Sequence, residues 1–134
     1  MKIPAKIQKI IQDQSYVTDK TGMSGAGVYI FSDMVLKIQK NSCESENEVT
    51  MMRWLNGKIP TPNIIEHINE NGYSYILMNK CTGMMACDPY FMEKPLKQID
   101  LLAEALRHLW SVPIDDCPCR LPLEKRLAMA RFIS

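Results

Sequence analysis

The sequence predicts an α+β fold in which a five-stranded antiparallel sheet carries one helix on a face and further helices follow. Three observations predict it: β-branched and aromatic runs in the first 80 residues, a capped helix between them, and apolar residues at helical spacing from residue 94 onward. The length of 134 residues is enough for one domain with a real core. It is too short for most enzymes built from two full lobes.

The first element is a short helix, because Ile3, Ile7, Ile10 and Ile11 recur at helical spacing. Lysines on its other face leave a membrane-surface role open, but packing against the domain is the favoured alternative for so short a segment. Three strands of an antiparallel meander follow, separated by TGMSGA and by the dipeptide SD: SYVTDK, GVYIF and MVLKIQ.

The second helix is predicted over SCESENEVTMMRWLNGK. Ser42 or Ser45 can cap its N-terminus, acidic residues occupy its first turns, and Gly57 follows its end. This helix stands between the third and the fourth strand, so we expect it to cover one face of the sheet.

The last two strands form a hairpin. The prolines of IPTPN require an extended segment, and the runs IIEHI and YSYILMN then flank Asn71 and Gly72, a strong tight-turn signal.

Helices follow an irregular linker. The run KCTGMMACDPYFMEKP has no periodicity, LKQIDLLAEALRHLWSV is clearly helical, and PLEKRLAMARFIS begins a last helix that no terminating residue follows. We therefore divide the chain into a part with the sheet at residues 1–80, a linker at 81–93, and the start of a helical part at 94–134.

Composition excludes several classes of function. Lys and Arg total 16 against 15 Asp and Glu without long blocks, which argues against binding nucleic acid by neutralising phosphates. The N-terminus lacks a signal-peptide pattern, and no apolar run has transmembrane length. The five cysteines contain no Cys-x-x-Cys pair. We predict a cytoplasmic protein with reduced thiols, no metal site, and neither a nucleic-acid nor a membrane partner.

Lys37 and Glu48 are the leading candidates for chemistry. Strand alternation places Lys37 on the face of Val35 and opposite Leu36, and a solvated lysine is the simpler explanation unless an acidic partner is near. Glu48 shares a helical stripe with Met52 that should face the sheet, where a carboxylate is costly without a cation. Lys37 is the available cation, and kinases use such a pair to hold the α- and β-phosphates of ATP.

Two other segments are candidates for nucleotide contacts. In the loop GMSGAG, Ser24 can offer a hydroxyl and an N–H to a phosphate and Gly25 permits close approach, although a hairpin turn explains these glycines as well. Where YILMNKCTG leaves the sheet, Met78 would lie behind an adenine and the main chain of Asn79 and Cys81 would bind its edge; an ordinary strand end is the alternative.

Structural roles are favoured for the remaining reactive residues. Cys117 and Cys119 flank a proline in a predicted turn, and the spacing is wrong for a redox pair. His67 is interpreted as a strand residue, and His108 has no nucleophile in a recognisable motif nearby.

With these residues placed, the sequence resembles the N-terminal portion of bacterial aminoglycoside 3′-phosphotransferases, antibiotic-resistance enzymes with a protein-kinase-like fold. The motifs that carry the resemblance are GMSGAGVY, VLKIQ, EVTMMRWLNGKIPTPNII, YILMNKCTG and IDDCP. The resemblance implies that Ser24, Gly25 and Val28 help to bind the cofactor at the loop above the ATP phosphates. It also implies that Lys37 contacts the α- and β-phosphates with Glu48 as its ion-pair partner.

The resemblance further places Met78 at the back of an adenine pocket, with the backbones of Asn79 and Cys81 bonded to the base. Some family members have an aromatic ring over adenine where this chain has Val35, which is a departure from the pattern. Family catalysis needs the aspartate of a His-Gly-Asp loop, and neither histidine here is followed by Gly-Asp.

The implied function is that of the N-terminal part of an ATP-dependent aminoglycoside 3′-phosphotransferase. Residues 1–80 would be its nucleotide-binding N-lobe, 81–93 its hinge and linker, and 94–134 the start of an incomplete helical C-lobe. ATP and Mg²⁺ would be its cofactors and the drug its substrate in the full-length enzyme, with the Mg²⁺ ligands and the catalytic aspartate outside this chain. The alternatives are a fragment of another small-molecule kinase of this fold, or a non-catalytic nucleotide-binding remnant.

Overall fold

The computed structural model describes residues 3–19, 27–81, 83, 88–119, 127–128 and 130. Its strands form one antiparallel sheet with the spatial order β1-β2-β3-β5-β4. The strands are β1 Val17–Asp19, β2 Gly27–Ile30, β3 Met34–Lys40, β4 Ile64–Glu70 and β5 Tyr73–Asn79. The helices are α1 Ala5–Ile11, α2 Cys43–Leu55, α3 Pro89–Met92 and α4 Pro95–Trp110. The predicted five-stranded sheet and the order of its elements are confirmed.

One face of the sheet is closed by α1. Ile7 and Ile11 of this helix are buried in a cluster with Leu36 and Ile38 of β3 and Leu77 of β5. Full burial of such an aliphatic side chain stabilises a fold by about 1.5–3 kcal/mol. The isoleucines at helical spacing therefore belong to the core, and the prediction that this helix packs against the domain is confirmed.

The opposite face of the sheet meets α2. Ser42 is its N-cap: the Ser42 hydroxyl accepts the Ser45 N–H at 3.2 Å, and the Ser45 hydroxyl accepts the Ser42 N–H at 2.8 Å. The predicted stripe needs a correction, because Ser45 and Val49 are the buried residues of α2, whereas Glu48 and Met52 are half-buried. The sheet face below α2 carries polar side chains, so a carboxylate can lie at its margin without full burial.

The hairpin of β4 and β5 closes as predicted through Asn71 and Gly72. Both residues have positive φ, 53° and 79° respectively. This left-handed pair is what a type I′ turn requires, and glycine adopts it without strain. A register shift between Ile64 and Glu66 marks a bulge in β4 near the other end of the hairpin.

The region after the sheet contains a short helix that the sequence pattern did not predict. The linker that we expected to be irregular contains α3, whose N-cap Asp88 accepts the Tyr90 N–H at 2.9 Å. Proline at the first helical position favours a helix start there. Of the predicted last helix, residues 127, 128 and 130 are described and are helical. Within the described part of the chain, no helix has both the length and the apolar character needed to cross a membrane.

Candidate functional site

Four of the predicted nucleotide contacts lie on the sheet face that α2 covers. Val28 of β2 is paired with Lys37 of β3, and Val35 of β3 is paired with Met78 of β5. Directly paired residues of antiparallel strands project to the same face, so the register brings these side chains together. All four are half-buried, whereas Leu36 on the other face is fully buried. The result is a partly accessible apolar strip with one cation beside it.

The predicted ion pair of Lys37 and Glu48 is present at this strip. Lys37 Nζ donates to Glu48 Oε1 at 2.8 Å, and the two side chains are 23% and 31% exposed. An ion pair that water still reaches contributes only on the order of 1 kcal/mol to stability. Fold stability alone therefore gives little reason for a charged pair at this position.

Gln39 is the part of this arrangement that sequence analysis missed. Its amide nitrogen Nε2 donates to Glu48 Oε2 at 2.8 Å, so each oxygen of the carboxylate has its own donor. Lys37 and Gln39 are two residues apart on one strand and therefore share a face. The alternation that placed Lys37 beside the helix could have placed Gln39 there as well.

Backbone groups at the end of β5 are held by neighbouring segments. The Asn79 N–H donates to the Asn63 carbonyl at 3.0 Å, and the Asn79 side-chain oxygen accepts the Asn63 N–H. The Asn79 N–H is therefore already bonded within the protein and is not free to bind a ligand. In the described part of the chain, no backbone hydrogen bond engages Cys81, whose N–H remains a possible donor.

Ser24 and Gly25 of the predicted phosphate loop lie outside the described residues. Their contacts with phosphate stay a prediction. Among the residues that the structure describes, no group of three or more His, Cys, Asp or Glu side chains is placed to hold a metal ion.

The other reactive residues have local structural partners. His67 Nε2 lies 3.2 Å from Ser74 Oγ within the hairpin, which agrees with a satisfied strand histidine. The thiol of Cys117 donates to the Cys119 carbonyl at 3.2 Å across the predicted turn. His108 is exposed on α4.

Tyr90 is electrostatically distinctive, although it was not a predicted site residue. Lys97 Nζ donates to its hydroxyl at 2.8 Å, and Lys94 Nζ lies 4.1 Å from the ring centroid. The hydrogen bond from Lys97, assisted by Lys94, lowers the pKa of the Tyr90 hydroxyl below its usual value of 10.0. The group is accessible to water, so this is a local effect at the junction of α3 and α4.

Comparison with known proteins gives similarity to one kind of enzyme. Aminoglycoside 3′-phosphotransferases of Staphylococcus aureus and Enterococcus faecalis are each 34% identical to this chain. The alignments are 142 and 143 positions long, respectively, and cover 99% of this chain and 54% of each relative. One from Niallia circulans is 28% identical, over 97% of this chain and 52% of its own length. No protein-family model matches the chain.

A solved structure gives independent evidence on the fold. The aminoglycoside phosphotransferase APH(3'')-Id from Streptomyces rimosus ATCC10970 matches with a TM-score of 0.72 at 20% identity, over 95% of this chain and 48% of that one. This likeness confirms the predicted α+β, kinase-like fold. The chain spans about half the length of the curated relatives it matches. In sequence this chain is similar to the N-terminal half of aminoglycoside 3′-phosphotransferases, and in fold it is similar to an aminoglycoside phosphotransferase.

Proposed function

We propose that this chain is the nucleotide-binding part of an ATP-dependent aminoglycoside 3′-phosphotransferase that acts in the cytoplasm. The observation that carries the proposal is the Lys37–Glu48 pair beside the half-buried apolar strip of Val28, Val35 and Met78. An apolar strip suits a purine, and a fixed ammonium group suits phosphates. The relatives are named aminoglycoside 3′-phosphotransferases, so the proposed acceptor of the phosphoryl group is the 3′-hydroxyl of an aminoglycoside.

The base end of ATP would be held by the strip and by the end of β5. Val35 and Met78 offer aliphatic surface to the ring, which compensates for the absence of an aromatic side chain at position 35. The Asn79 carbonyl and the Cys81 N–H form an acceptor and a donor two residues apart, which suits the edge of an adenine. This assignment does not use the Asn79 N–H, which is bonded to the Asn63 carbonyl.

The phosphate end would be held by Lys37, with Ser24 and Gly25 above it. When bound, ATP supplies the phosphoryl group that is transferred. Lys37 neutralises phosphate charge, and Glu48 keeps the ammonium group from folding back into solvent; both contributions are electrostatic positioning. The base that orients the acceptor hydroxyl and the Mg²⁺ ligands are assigned to the part of the relatives' length that this chain does not span.

Nucleotide binding by the chain itself tests the proposal. We expect Lys37→Ala to weaken ATP binding about tenfold or more, because it removes a hydrogen bond between charged groups, while leaving adenosine binding unchanged. Lys40→Ala is the matched control, since Lys40 is the exposed last residue of the same strand. An ATP affinity that does not respond to Lys37→Ala, or no ATP binding at all, contradicts the proposal.

The non-catalytic alternative is favoured by one observation, the absence of Gly-Asp after either His67 or His108. Transfer of labelled γ-phosphate to an aminoglycoside with a 3′-hydroxyl, compared with its 3′-deoxy analogue, measures this directly. We expect the chain alone to bind ATP without transferring phosphate. Rapid transfer by the chain alone would contradict the assignment of the catalytic base to residues beyond it.

A further inference from the structure

We propose that Gln39 is a positioning residue that holds the Glu48 carboxylate in place, so that Lys37 is already directed toward the phosphate position before nucleotide binds. Its effect on ATP rests on the proposed function above. Its effect on the ion pair does not, because that effect concerns only the contacts among Lys37, Gln39 and Glu48.

The contacts divide the carboxylate between two donors. Lys37 Nζ donates to Glu48 Oε1 and Gln39 Nε2 donates to Glu48 Oε2, both at 2.8 Å. A carboxylate with one donor can rotate about its last bond and release that donor. With two donors on separate oxygens, rotation breaks both hydrogen bonds, so the plane of the Glu48 carboxylate is fixed.

The donors themselves come from a rigid element. Lys37 and Gln39 stand on β3, an inner strand paired on both sides with β2 and β5. Glu48 stands on α2, whose start is fixed by the capping box of Ser42 and Ser45. Gln39 therefore joins a helix to a strand at the position where a shift of the helix would withdraw Glu48 from Lys37.

The choice of a neutral amide has a chemical reason. A second cation at position 39 would compete with Lys37 for Glu48 and would itself attract phosphate. A carboxylate there would repel Glu48. An amide donor satisfies the second oxygen without changing the net charge of the pair, so the Lys37 charge remains available to a polyanionic ligand.

The binding experiment compares Gln39→Met, which keeps the length of the side chain but removes the donor, with the unmodified chain. We expect ATP to bind up to about tenfold more weakly, because binding must then order the Lys37–Glu48 pair that Gln39 no longer holds, and adenosine to bind unchanged. Gln39→Glu should weaken ATP binding further. Gln8→Met, the same change at an exposed position of α1, is the control and should alter neither affinity.

A double-mutant cycle shows whether Gln39 acts through Glu48. In a Glu48→Ala background, Gln39→Met should have no further effect on ATP binding, because its partner is gone. Additive losses would overturn the proposal, as would equal losses of ATP and adenosine affinity, which indicate a general packing role. If Glu48→Ala does not fold, Glu48→Leu, which keeps more of the volume, takes its place.

An experiment without nucleotide separates this proposal from the proposed function. Acylation of lysines by an amine-reactive reagent, followed by peptide mass spectrometry, measures Lys37 relative to exposed Lys40 in the same molecule. We expect Gln39→Met to speed labelling of Lys37 several-fold relative to Lys40, the change expected when a pair that was mostly closed opens more often. Unchanged relative labelling overturns the positioning role. Failure of the unmodified chain to bind ATP would overturn only the proposed function.

Discussion

The sheet with α1 and the helix α4 both have an apolar side, but they differ in what covers it. Leu36 and Leu77 in the sheet have no exposed surface, and α1 closes over them. The helix α4 has no buried residue, and its Leu96 is 79% exposed. An amphipathic pattern thus predicts which side of an element favours burial, but it does not predict the partner.

The candidate site belongs to the first of these regions. Its strands are held by full ladders, and the apolar layer on the far face supports them from behind. An apolar cavity of about 350 Å³ lies between α2 and α4, and Trp54 and Trp110 are among the residues that line it. Because α4 has no buried residue, we expect changes in α4 to affect the candidate site little.

The largest expected effect distinguishes the two regions by stability. Leu36→Ala leaves a cavity in the closed core and should lower the free energy of unfolding by about 2–5 kcal/mol. The same change at Leu96 on α4 should stay within about 0.5 kcal/mol, because the side chain is already in water. Urea denaturation followed by circular dichroism measures both. Similar losses for the two variants would mean that α4 is packed in solution.

A smaller effect concerns association of molecules. Exposed apolar stripes favour self-association, so replacing Ile99 and Leu102 of α4 with lysine should shift the chain toward monomer at equal concentration. The free energy of unfolding should change by no more than about 0.5 kcal/mol. Sedimentation velocity measures the association state, and urea denaturation measures the free energy of unfolding. An unchanged association state would show that another surface is responsible.

The smallest effect is a titration at the polar contact that links α3 to α4. Because Lys97 lowers the pKa of Tyr90, the folded chain releases this proton at lower pH than the unfolded chain. Between the two pKa values the unfolded state binds more protons, so the contribution of Tyr90 to stability increases with pH in that window. Tyrosinate absorbance of Tyr90→Phe against the unmodified chain measures the titration, and Lys97→Met should return the Tyr90 pKa toward its usual value.

Sequence analysis predicted the strands and the ion pair because both follow from short-range rules. Alternation along β3 is enough to place Lys37 opposite Leu36, and the spacing of α2 is enough to bring Glu48 to the same side. The rules failed where tertiary packing decides burial, because Ser45 and Val49, and not Glu48, are the buried residues of α2. Gln39 was overlooked because a neutral amide carries no charge signal of its own.

Sequence analysis also failed to predict the shortest helix. The helix α3 has four residues, too few for any periodicity, and only its Asp88 and Pro89 start signal marked it. The loop with Ser24 and Gly25 lies outside the described residues, so its role still depends on the resemblance to the phosphotransferases. The bounds of the predicted lobes, at residues 80 and 94, likewise remain predictions.

The hydrogen bonds at the end of β5 have a mechanical consequence. Asn79 is bonded to Asn63 on one side, and the Lys80 N–H donates to the Asp33 carbonyl at 2.9 Å on the other. Backbone rotation before Lys80 would break these bonds, whereas rotation at Cys81 breaks no backbone bond of the described part of the chain. Lys80 is therefore tied to the sheet, and Cys81 is the first residue after β5 that no backbone hydrogen bond of the described part of the chain holds there.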